Sequence, residues 1–440
     1  MPRRSVLRLC AVTLSVGLLG CSDLTRVTNP SLTSPGQLDN GLGGIARRAG
    51  ALSLFGAYFS TQVEYAGLIS DEMTDARGAT AYADRRLITA NAPANGAGYP
   101  WQGLSEARLQ SLRAIQTIET YHSAAKDRVG ELFALIGFVE TMFAENLCSG
   151  VPLADVINGT PTLGPTLTRN QLLARALIDF DSATANAFDT LSATDTSILS
   201  LANVGRARAL VDSGDFSKAM SAAAAVSSNF AYQTQYSVAG GQQNQVAADF
   251  LANNISVSDR EGENGLDFAS AADPRVLVDT FSSFGILGNL VGHHFLPYYT
   301  QLQPPVDLAS GLEARLIQAE AALHAGDLPT WSNALNSLRQ TYADTALSNH
   351  PLPSDSTTQA NVATQVDIMF RERAFWLYAT GHRHGDLRRL MRQYGRIQSQ
   401  VFPVGAYAGA PSAQYGTDIT FVPFGENNNP NYHGCFDRLP

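Results

Sequence analysis

Apolar residues recur at three- and four-residue spacing over most of this chain, and that periodicity predicts a mainly all-α protein. Leu52, Phe55, Phe59, Val63 and Ala66 mark one helical face between Leu42 and Leu68. Leu104, Leu109, Leu112, Ile115 and Ile118 mark a second, and the spacing returns from Leu132 to Leu147. Gly96, Gly98 and Pro100 break the pattern within a loop-rich stretch, residues 78–101. Pro152, Gly159, Pro161, Gly164 and Pro165 break it again, so residues 150–165 read as a turn region. Thr168 followed by Gln171 predicts a capping box, opening a helix whose buried stripe is Leu172, Leu173, Ala176, Leu177 and Phe180.

Two helical hairpins are the clearest units. One runs through Ala207, Leu210, Gly214-Asp215-Phe216 and Ala219, the other through Leu316, Ala319, Leu323, Gly326-Asp327 and Leu335. In each, glycine supplies the left-handed residue that ends a helix and aspartate caps the next. Both resemble tetratricopeptide hairpins, yet they lie too far apart for a tandem array of roughly 34-residue units. Between them, residues 229–310 lose helical spacing and carry Gly240-Gly241, Gly262, Gly265, Pro274, Gly285, Gly288 and Pro297. This predicts a long excursion of loops and short strands, and such segments in a compact chain are often functional. The tail, residues 397–440, is similarly irregular.

Composition narrows the picture. Only 16% of the 440 residues are charged, the net charge is −9, and no basic block occurs beyond the N-terminus. Nucleic-acid binding needs a basic face and is therefore not expected. At the N-terminus Arg3, Arg4 and Arg8 precede an apolar run from Leu9 to Leu19, which ends in Leu18-Leu19-Gly20-Cys21. Basic head and short apolar core make a secretory signal, too short to span a bilayer. The pattern resembles a bacterial lipobox, which implies diacylglycerol on the Cys21 thiol, cleavage before it and acylation of the freed amine. Each buried methylene contributes about 0.8 kcal/mol, so several chains anchor firmly. Residues 1–20 are thus expected to be a signal peptide and 21–40 a lipid-anchored polar leader. Residues 41–440 are expected to form a single body, with the lipid as its only membrane anchor. Ser22, not aspartate, follows the cysteine, which favours outer-membrane delivery. Cys148 and Cys435 remain, either as a disulfide in an oxidising compartment or as two buried thiols.

Chemistry-bearing patterns are sparse. Asp71 and Glu72 are adjacent, and Glu140 and Glu145 are five apart. Neither spacing sets two carboxylates across one bond, so ordinary solvated acids are expected. His293-His294 and His382/His384 lack the spacing of a metal site. No nucleophile elbow, phosphate loop or dinucleotide fingerprint is present, and no cofactor is expected. Aromatics stack on the apolar faces of sugar rings, which makes Tyr99, Trp101, Phe295, Tyr298 and Tyr299 candidate ligand contacts, with Tyr407 and Tyr415 in the tail. Glu372 and Arg373 lie on a helix that also carries Phe370, Ala374, Phe375, Trp376 and Leu377. Charges there must be paired, and Arg383, Asp386 and Arg388 are the nearby candidates for a structural ion-pair network.

Several of these segments, in this order, resemble SusD/RagB-type lipoproteins. They are Ser70-Asp71-Glu72, Gly150-Val151-Pro152-Leu153, Glu313-Ala314-Arg315-Leu316-Ile317-Gln318-Ala319-Glu320-Ala321, and Ile368 with Glu372-Arg373-Ala374, Gly381-His382-Arg383 and Asp386-Leu387-Arg388-Arg389. Trp101 also fits that family's helix-start tryptophan, a core position. The resemblance implies a helical superhelix of four tetratricopeptide-like pairs under an irregular lobe. It further implies a non-catalytic role on the cell exterior: capturing oligosaccharide or peptide and lidding a TonB-dependent SusC-type barrel. His384-Gly385 stands where the family carries two aromatics. The competing readings are a helical-repeat scaffold for outer-membrane proteins and a surface glycoside hydrolase.

Overall fold

Asn40 opens the first long helix: its side chain accepts from the Gly43 N–H at 2.9 Å, and α1 runs over Gly41–Ile69. The computed structural model describes residues 35–78, 81–91, 100–122, 124–157, 159–187, 191–239, 242–282, 291–341, 352, 362–407 and 410–440. Cys21, with the signal and most of the leader, and Tyr99 lie outside the described residues. Beyond α1 come α2 (Pro100–Tyr121), α3 (Lys126–Asn146), α4 (Arg169–Asn186), α5 (Ala193–Ser213) and α6 (Phe216–Ala224). After the excursion follow α7 (Gly311–His324), α8 (Leu328–Thr341), α9 (Val362–Trp376) and α10 (Arg383–Tyr394). The fold is mainly helical, as the periodicity predicts.

Consecutive helices pack as pairs, α1 on α2, α3 on α4, α5 on α6 and α7 on α8, and each pair packs on the next. Thr168 and Gln171 form the expected capping box at the start of α4. Gly214 ends α5 at φ +88, and Asp215 accepts from the Lys218 N–H to start α6. Gly326 and Asp327 repeat the device between α7 and α8. Close packing relies on two other glycines. Phe180 of α4 fills the space between α3 and α5, where a Cβ on Gly137 or Gly205 would lie 2.8 or 2.3 Å from its ring.

Strands are short and form five two-stranded ladders among the described residues. The region expected to be turns, residues 150–165, is instead an antiparallel hairpin, β2 (Val151–Ile157) against β3 (Thr160–Leu167), with a bulge near Pro152. Its prolines and glycines are tolerated because it is an isolated two-stranded ribbon, where every strand is an edge. In the excursion, β4 (Ala231–Thr234) pairs with β8 (Val306–Ser310) and closes its two ends together. Within it, β5 (Ile255–Val257) pairs with β1 (Met73–Asp75), and β6 (Val278–Ser282) with β7 (Val291–Phe295). In the tail, β9 (Ala406–Tyr407) pairs with β10 (Ala410–Gln414). Cys148 and Cys435 are joined, Cα atoms 5.8 Å apart, which ties the tail to the end of α3.

Helix α10 is hydrophilic in sequence, yet every residue from Arg383 to Leu390 is buried. Its polar side chains reach the ends of other helices. Arg383 donates twice to Asp71, just past α1, at 2.6 and 2.8 Å. Arg389 meets Asp212 of α5 at 3.2 Å and Glu320 of α7 at 2.8 Å. The His384 ring nitrogens lie 2.8 Å from Asn146 Oδ1 and 2.9 Å from Ile419 O. Burial, helped by the charge on Arg388, holds that imidazole down at about 3, so it is neutral. Gly385 makes room for Glu145, whose Cγ would lie 3.2 Å from an added Cβ; an aromatic side chain at 385 would displace the Glu145–Arg208 pair.

Two expectations about charge are corrected here. Arg373 does pair with Asp386, at 2.8 and 2.9 Å, but the five residues do not form one network. Glu372 is held by Arg275 and Arg339, both distant in sequence. Among the described residues Arg388 meets no carboxylate: it donates to the carbonyls of Ala144, Glu145 and Leu147 at the end of α3 and to Leu439 O. Those carbonyls have no partner within the helix, and a cation there also suits the helix dipole. Nor are Asp71, Glu72, Glu140 and Glu145 solvated; all four are buried. Glu140 is held by Arg108 at 2.8 Å and Glu145 by Arg208 at 2.5 and 2.6 Å. Local spacing hides such partners because they come from other helices.

Glu72 joins α1 to the α9–α10 turn. Its Oε1 accepts from the Ala379 N–H at 2.9 Å, at a non-glycine residue with φ +55, and its backbone carbonyl accepts from Tyr378 Oη at 3.0 Å. Burial pushes the Glu72 carboxyl up to about 8, against the pull of the Ala379 N–H and Arg383.

Two outcomes follow from these contacts. Arg388→Met should lower unfolding stability by roughly 3 kcal/mol in urea denaturation, because it leaves buried carbonyls unpaired. Arg388→Lys should recover only part, since an ammonium cannot span the same set of carbonyls. For Glu72 the folded pKa lies above the unfolded one. Its contribution is therefore complete below about pH 4.5 and lost as pH rises through 8. Wild type should lose roughly 2–3 kcal/mol between pH 6 and 9 from this group, and Glu72→Gln should flatten that slope in denaturation curves recorded across the range.

Candidate ligand-binding site

Strands β6 and β7 place Phe281 directly opposite Gly292. Because Gly292 has no side chain, the phenyl ring lies over its backbone, where a Cβ would come within 2.2 Å. His294 is two residues further along β7, on the same face, and its ring stacks on Phe281 at 4.4 Å and 21°. The helical turn Leu296–Tyr299 then brings Tyr299 onto the other face of His294 at 3.7 Å and 11°. The result is a three-ring ladder, Phe281–His294–Tyr299, on the excursion.

The central ring is fixed from the side. His294 Nε2 lies 2.6 Å from Asn253 Oδ1, and Asn253 sits in the left-handed region at φ +57, which asparagine tolerates better than most residues. Arg77 donates to the Asn253 carbonyl at 3.2 Å, and the His293 N–H donates to Ser256 Oγ at 2.8 Å. Burial lowers the pKa of His294, so the imidazole is neutral at physiological pH. The amide oxygen of Asn253 assigns its one proton to Nε2, and the buried Nδ1 has no protein partner. His294 is buried, whereas Phe281 and Tyr299 at the two ends are partly exposed, with Asp279, Thr280 and Thr300 exposed beside them. Flat apolar rings at the edge of a polar surface suit a ligand with both apolar faces and hydroxyls.

The other sequence candidates are dispersed. Phe295 and Tyr298 face inward: Phe295 packs on Tyr378 at 4.8 Å and on Tyr298 at 5.2 Å, and Tyr298 Oη donates to Ala379 O at 3.2 Å. They anchor the excursion to the helices and leave only Tyr299 of that trio near the surface. Trp101 is 2% exposed and packs on Phe143 at 4.5 Å, a core position. It borders a cleft of about 230 Å³ lined by both apolar residues, such as Leu109 and Leu153, and polar ones, such as Gln102 and Glu426. Tyr407 is buried and Tyr415 is half-buried; they bond to Asp84 and Glu261. Sequence reading missed Phe281 and Asn253. The alternation Val278-Asp279-Thr280-Phe281 is a strand signal, but the cross-strand register that places Phe281 over Gly292 leaves no local trace.

Among the described residues, no group of three or more His, Cys, Asp or Glu side chains is arranged to hold a metal ion. No helix there is long and apolar enough to cross a membrane.

The SusD family matches residues 313–432, the stretch from α7 through α10 into the tail. No curated protein matches the chain. Solved structures share its fold at low identity. A candidate sugar-binding protein of Bacteroides vulgatus matches with TM-score 0.63 at 16% identity, over 91% of this chain and 99% of that one. A SusD superfamily protein of Bacteroides thetaiotaomicron gives 0.59 at 14%, over 82% and 92%. A SusD-like carbohydrate-binding protein of Bacteroides vulgatus gives 0.56 at 13%, over 79% and 83%. From α7 through α10 into the tail this chain is thus similar to the SusD family, and over most of its length it shares the fold of SusD-like structures.

Proposed function

We propose that this protein is a lipid-anchored outer-membrane protein, facing the cell exterior, that captures oligosaccharide and lids a TonB-dependent SusC-type barrel. The observation that carries the ligand class is the Phe281–His294–Tyr299 ladder, because stacked, partly exposed rings beside hydroxyl-bearing residues complement a sugar's faces and edges. Two relatives in fold are described as sugar- or carbohydrate-binding, which supports the same class. Peptide is the other ligand class that the family resemblance implies. The lipobox around Cys21 supports the anchor, and the resemblance to the SusD family supports the barrel partner. In this reading the helical stack is a rigid frame, and binding, not bond cleavage, is its task.

Glycan and peptide arrays probed with the full chain test the ligand class. Tyr299→Ala should weaken a glycan hit by about 10-fold, the loss of one stacking face worth roughly 1–1.5 kcal/mol. Unchanged affinity would remove the ladder from the site. Purification from the native membrane should bring down a plug-and-barrel transporter. A barrel without any glycan or peptide binding would favour the scaffold reading.

A further inference from the structure

A second cleft, of about 390 Å³, opens between α7, α8 and the last residue of α9. Leu312, Ala334, Leu338 and Trp376 make its wall mostly apolar. One face of Trp376 is occupied by the Arg275 guanidinium, 5.0 Å from the ring centroid, and the indole also borders the cleft. Arg315 of α7 contributes the one cation among the lining residues.

Arg315 is held in place without being neutralised. Its Nη2 donates to Ala223 O at 2.6 Å and Val226 O at 2.8 Å, carbonyls at the end of α6. Its Nε is buried and has no hydrogen-bond partner. None of the ion pairs among the described residues involves it, whereas the buried Arg108, Arg208, Arg373, Arg383 and Arg389 each meet a carboxylate. Burial draws the Arg315 pKa down, with no nearby acid opposing it. Arg388 also meets only carbonyls, but at 1% exposure it is walled in by protein. A guanidinium fixed at a mostly apolar cleft, with its charge met by carbonyls and by no acid, is a receptor for a carboxylate.

We propose that this cleft binds an organic monocarboxylate with an apolar face, its carboxylate on Arg315 and its body against Leu312, Leu338 and Trp376. An aliphatic acid and an acidic sugar share that chemistry. The site is independent of the ladder and of the sugar-capture reading.

Calorimetric titration of the full chain with octanoate and with glucuronate tests it. Octanamide and glucose serve as the uncharged counterparts. At least one acid should bind, and its uncharged counterpart should bind at least 10-fold more weakly. Which acid binds identifies the body as aliphatic or sugar. Arg315→Gln should cost at least 10-fold. Ala334→Phe fills the cleft from α8 while leaving Arg315 and its carbonyl partners in the chain, and should abolish binding even if Arg315→Gln proves poorly folded. Tyr299→Ala should leave it unchanged. The proposal fails if neither acid binds at millimolar concentration, if the uncharged counterpart binds equally well, or if Ala334→Phe has no effect.

Discussion

Placing a charged helix at the centre of a protein removes its guanidiniums and carboxylates from water, a cost of several kcal/mol for each unpaired ion. Helix α10 meets that constraint over its first two turns: Arg383 on Asp71, Asp386 on Arg373, Arg388 on the α3 carbonyls, Arg389 on Asp212 and Glu320. Each partner sits at or near the end of a different helix. The helices stack through apolar contacts such as Phe180 between Gly137 and Gly205, which set distance but specify direction weakly. The charged pairs admit one arrangement only. Helix α10 therefore fixes the relative positions of α1, α3, α5 and α7.

The excursion hangs from that frame by contacts of the same kind. Tyr298 donates to Ala379, whose own N–H is held by Glu72, beside the Asp71 that pairs with α10. Phe295 packs against Tyr378 from the same turn. Two aromatics of one short segment thus face the core while the neighbouring Tyr299 turns outward onto His294. The aromatic ladder inherits its rigidity from the buried charges at α10.

Much of the helical scaffold is legible in the sequence. The spacing of Leu52 to Ala66, the Thr168–Gln171 box and the Gly-Asp turns at 214 and 326 all rest on contacts within a few residues, so they leave a local signature. What depends on distant partners is not legible. Glu372 looks destined for Arg383 or Arg388, but Arg275 and Arg339 reach it first. Glu140 and Glu145 look solvated because Arg108 and Arg208 lie on other helices. The β2–β3 hairpin hides behind prolines that only an edge strand accepts. In the ladder, Tyr299 is visible as an aromatic in an irregular segment, whereas Phe281 and Asn253 acquire their roles from register and from a left-handed backbone.

The pairing of Ala231 with Ser310 and of Thr234 with Val306 brings both ends of the excursion to one place on the scaffold. Chain between such a clasp can lengthen or shorten at little entropic cost, since closure depends only logarithmically on length. Substitutions and insertions there leave the stack of helices undisturbed. A solved structure sharing about one residue in seven with this chain, yet its fold, is what such a division permits: a frame and an excursion that can vary apart.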